Sequence, residues 1–322
     1  MKPIDDVSYT PHAWVNAGTT GAFPLNATRA NEIEAGIDDC ADAINDILDA
    51  TDDVDKWAAQ ADVLTYAGRS IADIPEIQTE LTTAGSVAAF LNARALAKDS
   101  SYLRVGDYVD ITHSSIGGTR RYRIGDFWPY AGAGDSARPG GIVMVPDRTW
   151  PNTVQWASKG NNNGNSSQNA PYVCSDNTLH NYEINTILPT FPTAWQNVMQ
   201  NHRALIETRY SASGNLSAAN GWAWNDLGKI WSPSETEVYG QVVWGTANGD
   251  SVGYDCQFEI FRKTRNRIKT YDGTNRSDWW LRTPTGSNTT SACGVYGDGV
   301  AGNGSVPSTS VRPLPCFIVG AN

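Results

Sequence analysis

The chain has 322 residues, a net charge of −10 and a pI near 4.8, with 40% hydrophobic and only 18% charged residues. No basic block is present to displace counterions from a phosphate backbone, which argues against nucleic acid as a partner, and no apolar run approaches the roughly 20 residues that span a bilayer. Twelve Trp and 13 Tyr set the chain apart from disordered sequences and leave Ser, Thr, Asn and Gly to form much of its surface.

The opening MKPIDDVSYT carries no apolar run, so no secretory leader is expected, and a protein acting outside the cell would leave by lysis or on a particle. Asn26 can cap a helix, with Pro24 just ahead of it. From Ile33 a heptad follows: Ile33, Ile37, Cys40, Ile44, Ile47, Thr51, Val54. Steps alternating four and three make the narrow seam of a coiled coil, and Ile at both seam positions favours three strands. Residues 31–65 are therefore expected to trimerise the chain through Ile33, Ile37, Ile44, Ile47 and Val54. Ten Asp or Glu lie between Glu32 and Asp55, as a solvated face or a surface for a basic socket. Residues 66–101 have helical apolar spacing broken at Pro75 and Gly85, which predicts one or two short helices linking stalk to body.

From residue 102 the pattern changes. Val105, Tyr108, Val109 and Ile111 are strand formers, RRYRIGDFWPY repeats the pattern, and GGIVMVPD suits a buried strand. After a polar insertion, WASKGNNNGNSSQNAPYVCSDN, come two helical windows, LHNYEINTILPTFPTAWQNVMQ and NHRALIETRYS. A Trp- and Gly-rich stretch follows, then CQFEIFRK and CFIVG, both read as strands. The fold class is α+β: a helical coiled-coil stalk, then a body of short strands and long loops.

Chemistry-bearing residues are scattered. The cysteines, Cys40, Cys174, Cys256, Cys293 and Cys316, are odd in number and form no C-x-x-C, which argues for free thiols in a reducing compartment; a Cys293–Cys316 bridge stays open. The four histidines have no paired spacing, no nucleophile elbow occurs, and no metal or other cofactor is expected. Asp107, Asp126, Asp226, Glu235 and Glu237 are carboxylates that a glycan hydrolase could pair.

The segment SDWWLRTP, a run of Gly, Ser and Asn, and SVRPLPCFIV together resemble the C-terminal portion of a group of phage and gut-bacterial proteins, as do KIWSPSETEVYG and VGDYVDI. That group is similar to the C-type lectin fold in its minimal form, which carries the receptor-binding surface of phage tropism determinants. WVNAGTTGAFPLNATRANEIEAGI separately resembles the N-termini of phage fibre proteins. The resemblance implies that residues 102–322 form a C-type-lectin-like domain and that residues 1–30 attach to other phage structural proteins on the virion. Trp279, Trp280, Arg282 and Arg312 would be the scaffold. Ser287, Asn288, Thr289, Thr290, Tyr296, Asp298, Asn303 and Ser305 would be the surface that meets a bacterial receptor, protein or glycan. Gly286 to Ser310 contains no Lys, Glu, Gln, Met or Trp, as adenine-directed diversification of Asn codons would leave it, and as any Gly/Ser/Asn loop would. The expected function is a virion fibre that recognises the host. The alternatives are a head fibre or decoration protein adhering to glycan or mucus, and a virion-associated glycan hydrolase.

Overall fold

The computed structural model describes residues 32–45, 67–115, 118–131, 140–247 and 256–320. Two compact units divide the chain, Met1–Asp62 and Val63–Asn322.

In the first unit the described residues form one helix, α1, over 32–45. Ile33, Ile37, Cys40 and Ile44, which the heptad places on a seam, are exposed, while Ala41 is buried; the described residues of this unit show one helix and no partner for that face. Residues 1–30 and the seam positions Ile47 and Val54 lie outside the described residues.

The second unit is α+β. Two 3₁₀ turns, Ile71–Asp73 and Pro75–Ile77, lead into α2 (Gln78–Ala84) and α3 (Val87–Ala97). Gly85 ends α2 because the cap needs a left-handed backbone, φ +74°, and its N–H returns to Leu81 O. Ser86 starts α3, its hydroxyl accepting the Ala89 N–H. Ile71, Ile74, Ile77, Phe90 and Leu91 enter the main core, so the segment read as a linker is part of the body.

Strands β1 (Tyr108–Thr112), β2 (Thr119–Phe127), β3 (Ile142–Pro146) and β9 (Phe317–Val319) make an antiparallel sheet in the order β1-β2-β3-β9. All five residues of β3 are buried, as its unbroken apolar run predicts. In β2, Arg120, Tyr122 and Ile124 alternate inward. Tyr122 joins Phe191 and Phe317 at ring separations of 5.2 to 5.6 Å.

The window 178–198 is helical but interrupted: α4 (Thr178–Tyr182), a π turn (Glu183–Ile187), a 3₁₀ turn (Leu188–Thr190) and α5 (Thr193–Val198). NHRALIETRYS, expected to be helical, instead supplies β4 (Arg203–Thr208), which pairs in full register with β5 (Gly221–Asp226). Cross-strand pairing overrides the helical preference of Ala, Leu and Glu. CQFEIFRK, expected to be a strand, is a 3₁₀ turn (Glu259–Arg262) leading to α7 (Thr264–Arg267). The Asp126 carboxylate accepts the Glu259 N–H at 3.0 Å, and Phe258, Ile260 and Phe261 turn into the core. Between them lies α6 (Glu235–Tyr239), closed by a Ser234–Glu237 capping box.

The last sheet is β6-β7-β8: β6 (Trp279–Pro284), β7 (Ser291–Val295) and β8 (Ala301–Ser305). The stretch 286–310 is thus a hairpin on a buried strand, not a long loop. All five cysteines are free thiols, so no bridge joins Cys293 to Cys316. No described helix is long and apolar enough to cross a membrane.

Candidate recognition surface

Strand β6 is the foundation. Trp279 and Trp280 are fully buried, and their indole N–H groups donate to Arg267 O (3.0 Å) and Val154 O (2.7 Å). Arg282 forks onto Glu237 through Nη1 (2.5 Å) and Nη2 (2.7 Å). Glu237 also accepts from the Ser234 N–H (2.9 Å) and the Tyr130 hydroxyl (2.6 Å). Burial alone would raise the Glu237 pKa, but Arg282 and His202 hold it well below the usual carboxylate range. One charge-assisted cluster therefore fixes β6, the start of α6 and Tyr130 together. Arg312 takes the other role open to such an arginine: its Nε donates to Pro151 O (3.2 Å) and its guanidinium lies 4.1 Å over the Tyr271 ring.

The hairpin divides the eight expected contact residues. Ser287 to Thr290 form the β6–β7 turn, and Ser305 pairs with Ser291 beside it. Tyr296 and Asp298 lie in the β7–β8 turn, where Asp298 Oδ1 accepts the Val300 N–H at 3.1 Å. Asn303 sits midway, opposite Cys293. Strand rise puts the two ends about 13 Å apart, so the residues make two patches, not one.

The first patch is pinned from below by a residue the sequence reading passed over. Asn162 is completely buried, and its side-chain amide donates to Asn288 O (3.0 Å) and Ser291 O (2.7 Å). Its backbone N–H donates to Thr289 O (2.8 Å), while its Oδ1 accepts from Arg209 (2.9 Å). Asn162 had been visible only as one letter of an Asn-rich insertion, and no local pattern marks it as buried.

At the second patch Tyr296 is 44% exposed, with Val300 at 55%. The Tyr296 ring crosses Gly302, where a Cβ would come within 2.5 Å of it, and its hydroxyl donates to Asn303 O (3.2 Å). Trp244 joins from another part of the chain: it is 43% exposed and its indole N–H donates to Ala301 O (3.2 Å). Val243 beside it is equally open. The Glu235 carboxylate holds this segment by accepting the N–H groups of Val243, Trp244 and Gly245 at 2.8 to 3.1 Å. Among the described residues of this unit, these four account for most of the large apolar side chains left exposed. An aromatic pair locked to a β-strand offers contact area at little entropic cost.

Behind the patch is a small pocket of about 50 Å³ walled by Leu205, Trp222, Val242 and Pro284, with Glu207 and Glu235 facing it. It holds no more than a few water-sized groups. Glu207 Oε2 accepts from Arg209 and Thr246, each at 3.0 Å, whereas its buried Oε1 has no partner. Burial raises the Glu207 pKa and Arg209 opposes the shift.

Of the five carboxylates named for hydrolysis, Glu235 accepts three backbone N–H groups and Glu237 the Arg282 fork. Cys293 and Cys316 are buried, and burial pushes both thiols well up. Among the described residues no group of three His, Cys, Asp or Glu could hold a metal ion. No curated protein and no solved structure matches the chain. The stretch from Pro151 to Val319, which carries Asn162, the Arg282–Glu237 cluster, Trp244 and the whole hairpin, matches the family described as a domain of unknown function (DUF6273); this is more than half of the chain, and the chain belongs to that family.

Proposed function

We propose that the chain is a fibre protein of a bacteriophage particle, located on the virion, whose C-type-lectin-like body recognises the bacterial surface. The observation that carries this reading is the patch of Val243, Trp244, Tyr296 and Val300, apolar, exposed and tied to β8 by hydrogen bonds. A soluble chain that leaves two aromatic side chains open and also fixes their positions is organised for contact. The seam of α1 supports a trimeric stalk, since Ile33, Ile37 and Ile44 stand exposed at coiled-coil spacing. Three copies would turn a weak single contact into a firm one through effective concentration.

The test is binding of fluorescently labelled full-length protein to a panel of bacteria, with and without EDTA, beside a Trp244→Ala/Tyr296→Ala variant. Selective binding that the variant loses supports recognition at this patch, and survival in EDTA makes it independent of calcium. Absence of binding to every strain overturns the reading and moves weight to a head decoration role. A monomeric full-length chain in analytical ultracentrifugation would remove the stalk.

A further inference from the structure

An open groove lined by no residue of the hairpin lies beside β1 and β2, with a free volume of about 510 Å³. Its walls include Arg120, Arg121, Arg148, Asp110, Asp147 and Tyr271. Three of these charges are matched: Arg121 pairs with Asp110 at 2.9 Å, and Asp147 pairs with Arg123 at 2.8 Å. Arg120 and Arg148 are not paired with any carboxylate among the described residues.

Arg120 is the telling residue. Only 8% of it is exposed, yet it is a guanidinium without a counter-charge. Nη1 donates to Thr149 O at 3.0 Å, the group lies 5.2 Å over the Trp150 ring, and buried Nε has no partner. The charged neighbour that acts on it most directly from the groove is Arg148, which repels it. Arg148 itself is exposed and held by one bond, Nη1 to Asp272 O at 3.2 Å. His113, on the inner side, is buried and held neutral, its pKa lowered to about 4 by burial and by Arg120. Lys269, also buried, adds further positive charge beside Asp147. In a chain of net charge −10, this is a local positive excess directed into a cavity. A buried cation next to a like charge is costly unless an anion completes it.

We propose that the groove is an oxyanion site that seats a phosphate group between Arg120 and Arg148. Two guanidinium groups on the walls of one groove suit a group with several oxygens. Thr119 and Tyr271 line the same groove; the Thr119 hydroxyl shares a hydrogen bond with Thr112 Oγ1 at 2.9 Å, which leaves the Tyr271 hydroxyl as a neutral donor. Arg312 belongs to the site indirectly, since it fixes Tyr271 and Pro151, both of which line the groove. The volume exceeds what one phosphate fills, so either free phosphate or a phosphate ester on a polyol fits. The site is independent of the hairpin reading.

Calorimetric titration of the full chain with inorganic phosphate and with glycerol 3-phosphate, against chloride at equal ionic strength, tests it. Saturable binding is expected with both phosphates and not with chloride. Arg148→Ala, at an exposed position, should weaken it about tenfold without altering the melting temperature measured in chloride, and Trp244→Ala should leave it unchanged. Tighter binding of glycerol 3-phosphate identifies a polyol ester as the ligand, and tighter inorganic phosphate identifies the free ion. A response no greater than that to chloride, or one that Arg148→Ala retains in full, overturns the proposal.

Discussion

The two larger sheets are held together differently. In β1-β2-β3-β9 the central strand β3 is apolar and buried throughout, and Tyr122, Phe191 and Phe317 interlock beside it. In β6-β7-β8 the central strand SACGV buries Ala292, Cys293 and Val295, mostly small side chains, while the edge strand AGNGS buries only Gly302, and directional polar bonds carry more of the load. Arg282 grips Glu237, Asn162 grips the β6–β7 turn, and Glu235 grips the segment carrying Trp244. Apolar burial is tolerant of exchange among similar side chains. A polar clamp is not, because removing one partner strands the other without water. An edge strand made of small residues can therefore stay rigid with few apolar side chains of its own.

The largest effects should fall at the foundation of the second sheet. Trp280→Ala is expected to cost about 3–5 kcal/mol in denaturant unfolding, since the indole fills the space over Gly304. Arg282→Ala is expected to cost a similar ~3–5 kcal/mol by leaving Glu237 charged and buried. The double change Arg282→Met/Glu237→Gln should recover part of that loss, because Gln keeps the cap and carries no charge. No recovery would mean that the ion pair is incidental and that packing holds β6. An Ile-to-Val exchange at Ile142 in β3 should cost only about 0.5–1.5 kcal/mol.

Next in size is a pH effect. Glu183 is buried against the Tyr172 hydroxyl (2.5 Å) and the Ser232 hydroxyl (2.6 Å), and burial raises its pKa to about 7. An unfolded Glu ionises near 4.5, so between roughly pH 4.5 and 7 the unfolded state loses its proton first and stability falls as pH rises. Glu183→Gln keeps both hydrogen bonds and removes this term. Its advantage over the natural chain should grow across that window to about 3 kcal/mol at most and then level off. His113 and His180, each lowered to about 4 by burial, titrate in the opposite sense on the acid side but cancel in the difference. A gap that does not change with pH would place the proton elsewhere. Smaller again is Asn162→Ala, expected to cost about 1–3 kcal/mol and to speed amide exchange at Thr290 and Ser291 while leaving β3 protected.

The same contrast explains what could be read from the sequence. β3, β9 and the helices of 71–97 are visible because burial there follows a local period or an unbroken run. Trp279, Trp280 and Arg282, which a sequence motif singles out, are buried, and the Glu237 partner of Arg282 is hidden 45 positions away. Asn162 bonds to residues more than 120 positions distant, and nothing near it in sequence announces that. β4 and the 258–262 turn were misread because local preference was outweighed by a partner strand in one case and by the Asp126 carboxylate in the other. Trp244 lies in a Trp- and Gly-rich stretch in which nothing local separates an exposed Trp from a buried one. Its exposure depends on Glu235 holding the backbone beneath it.

The smallest stability change and the sharpest functional one should coincide at the hairpin tip. Trp244 and Tyr296 each make one side-chain hydrogen bond to a backbone carbonyl and are more than two-fifths exposed. Truncating either to Ala removes little buried area, so unfolding should shift by no more than about 0.5–1 kcal/mol. Exposed aromatics that contribute this little to folding are free to be selected for contact, whereas a residue needed by the core is not. If melting of Trp244→Ala/Tyr296→Ala stays within that margin while binding to cells disappears, the two aromatics serve recognition and the polar clamps serve the fold. If the double variant unfolds as readily as Arg282→Ala, the tip is part of the foundation, and the division between clamp and display fails.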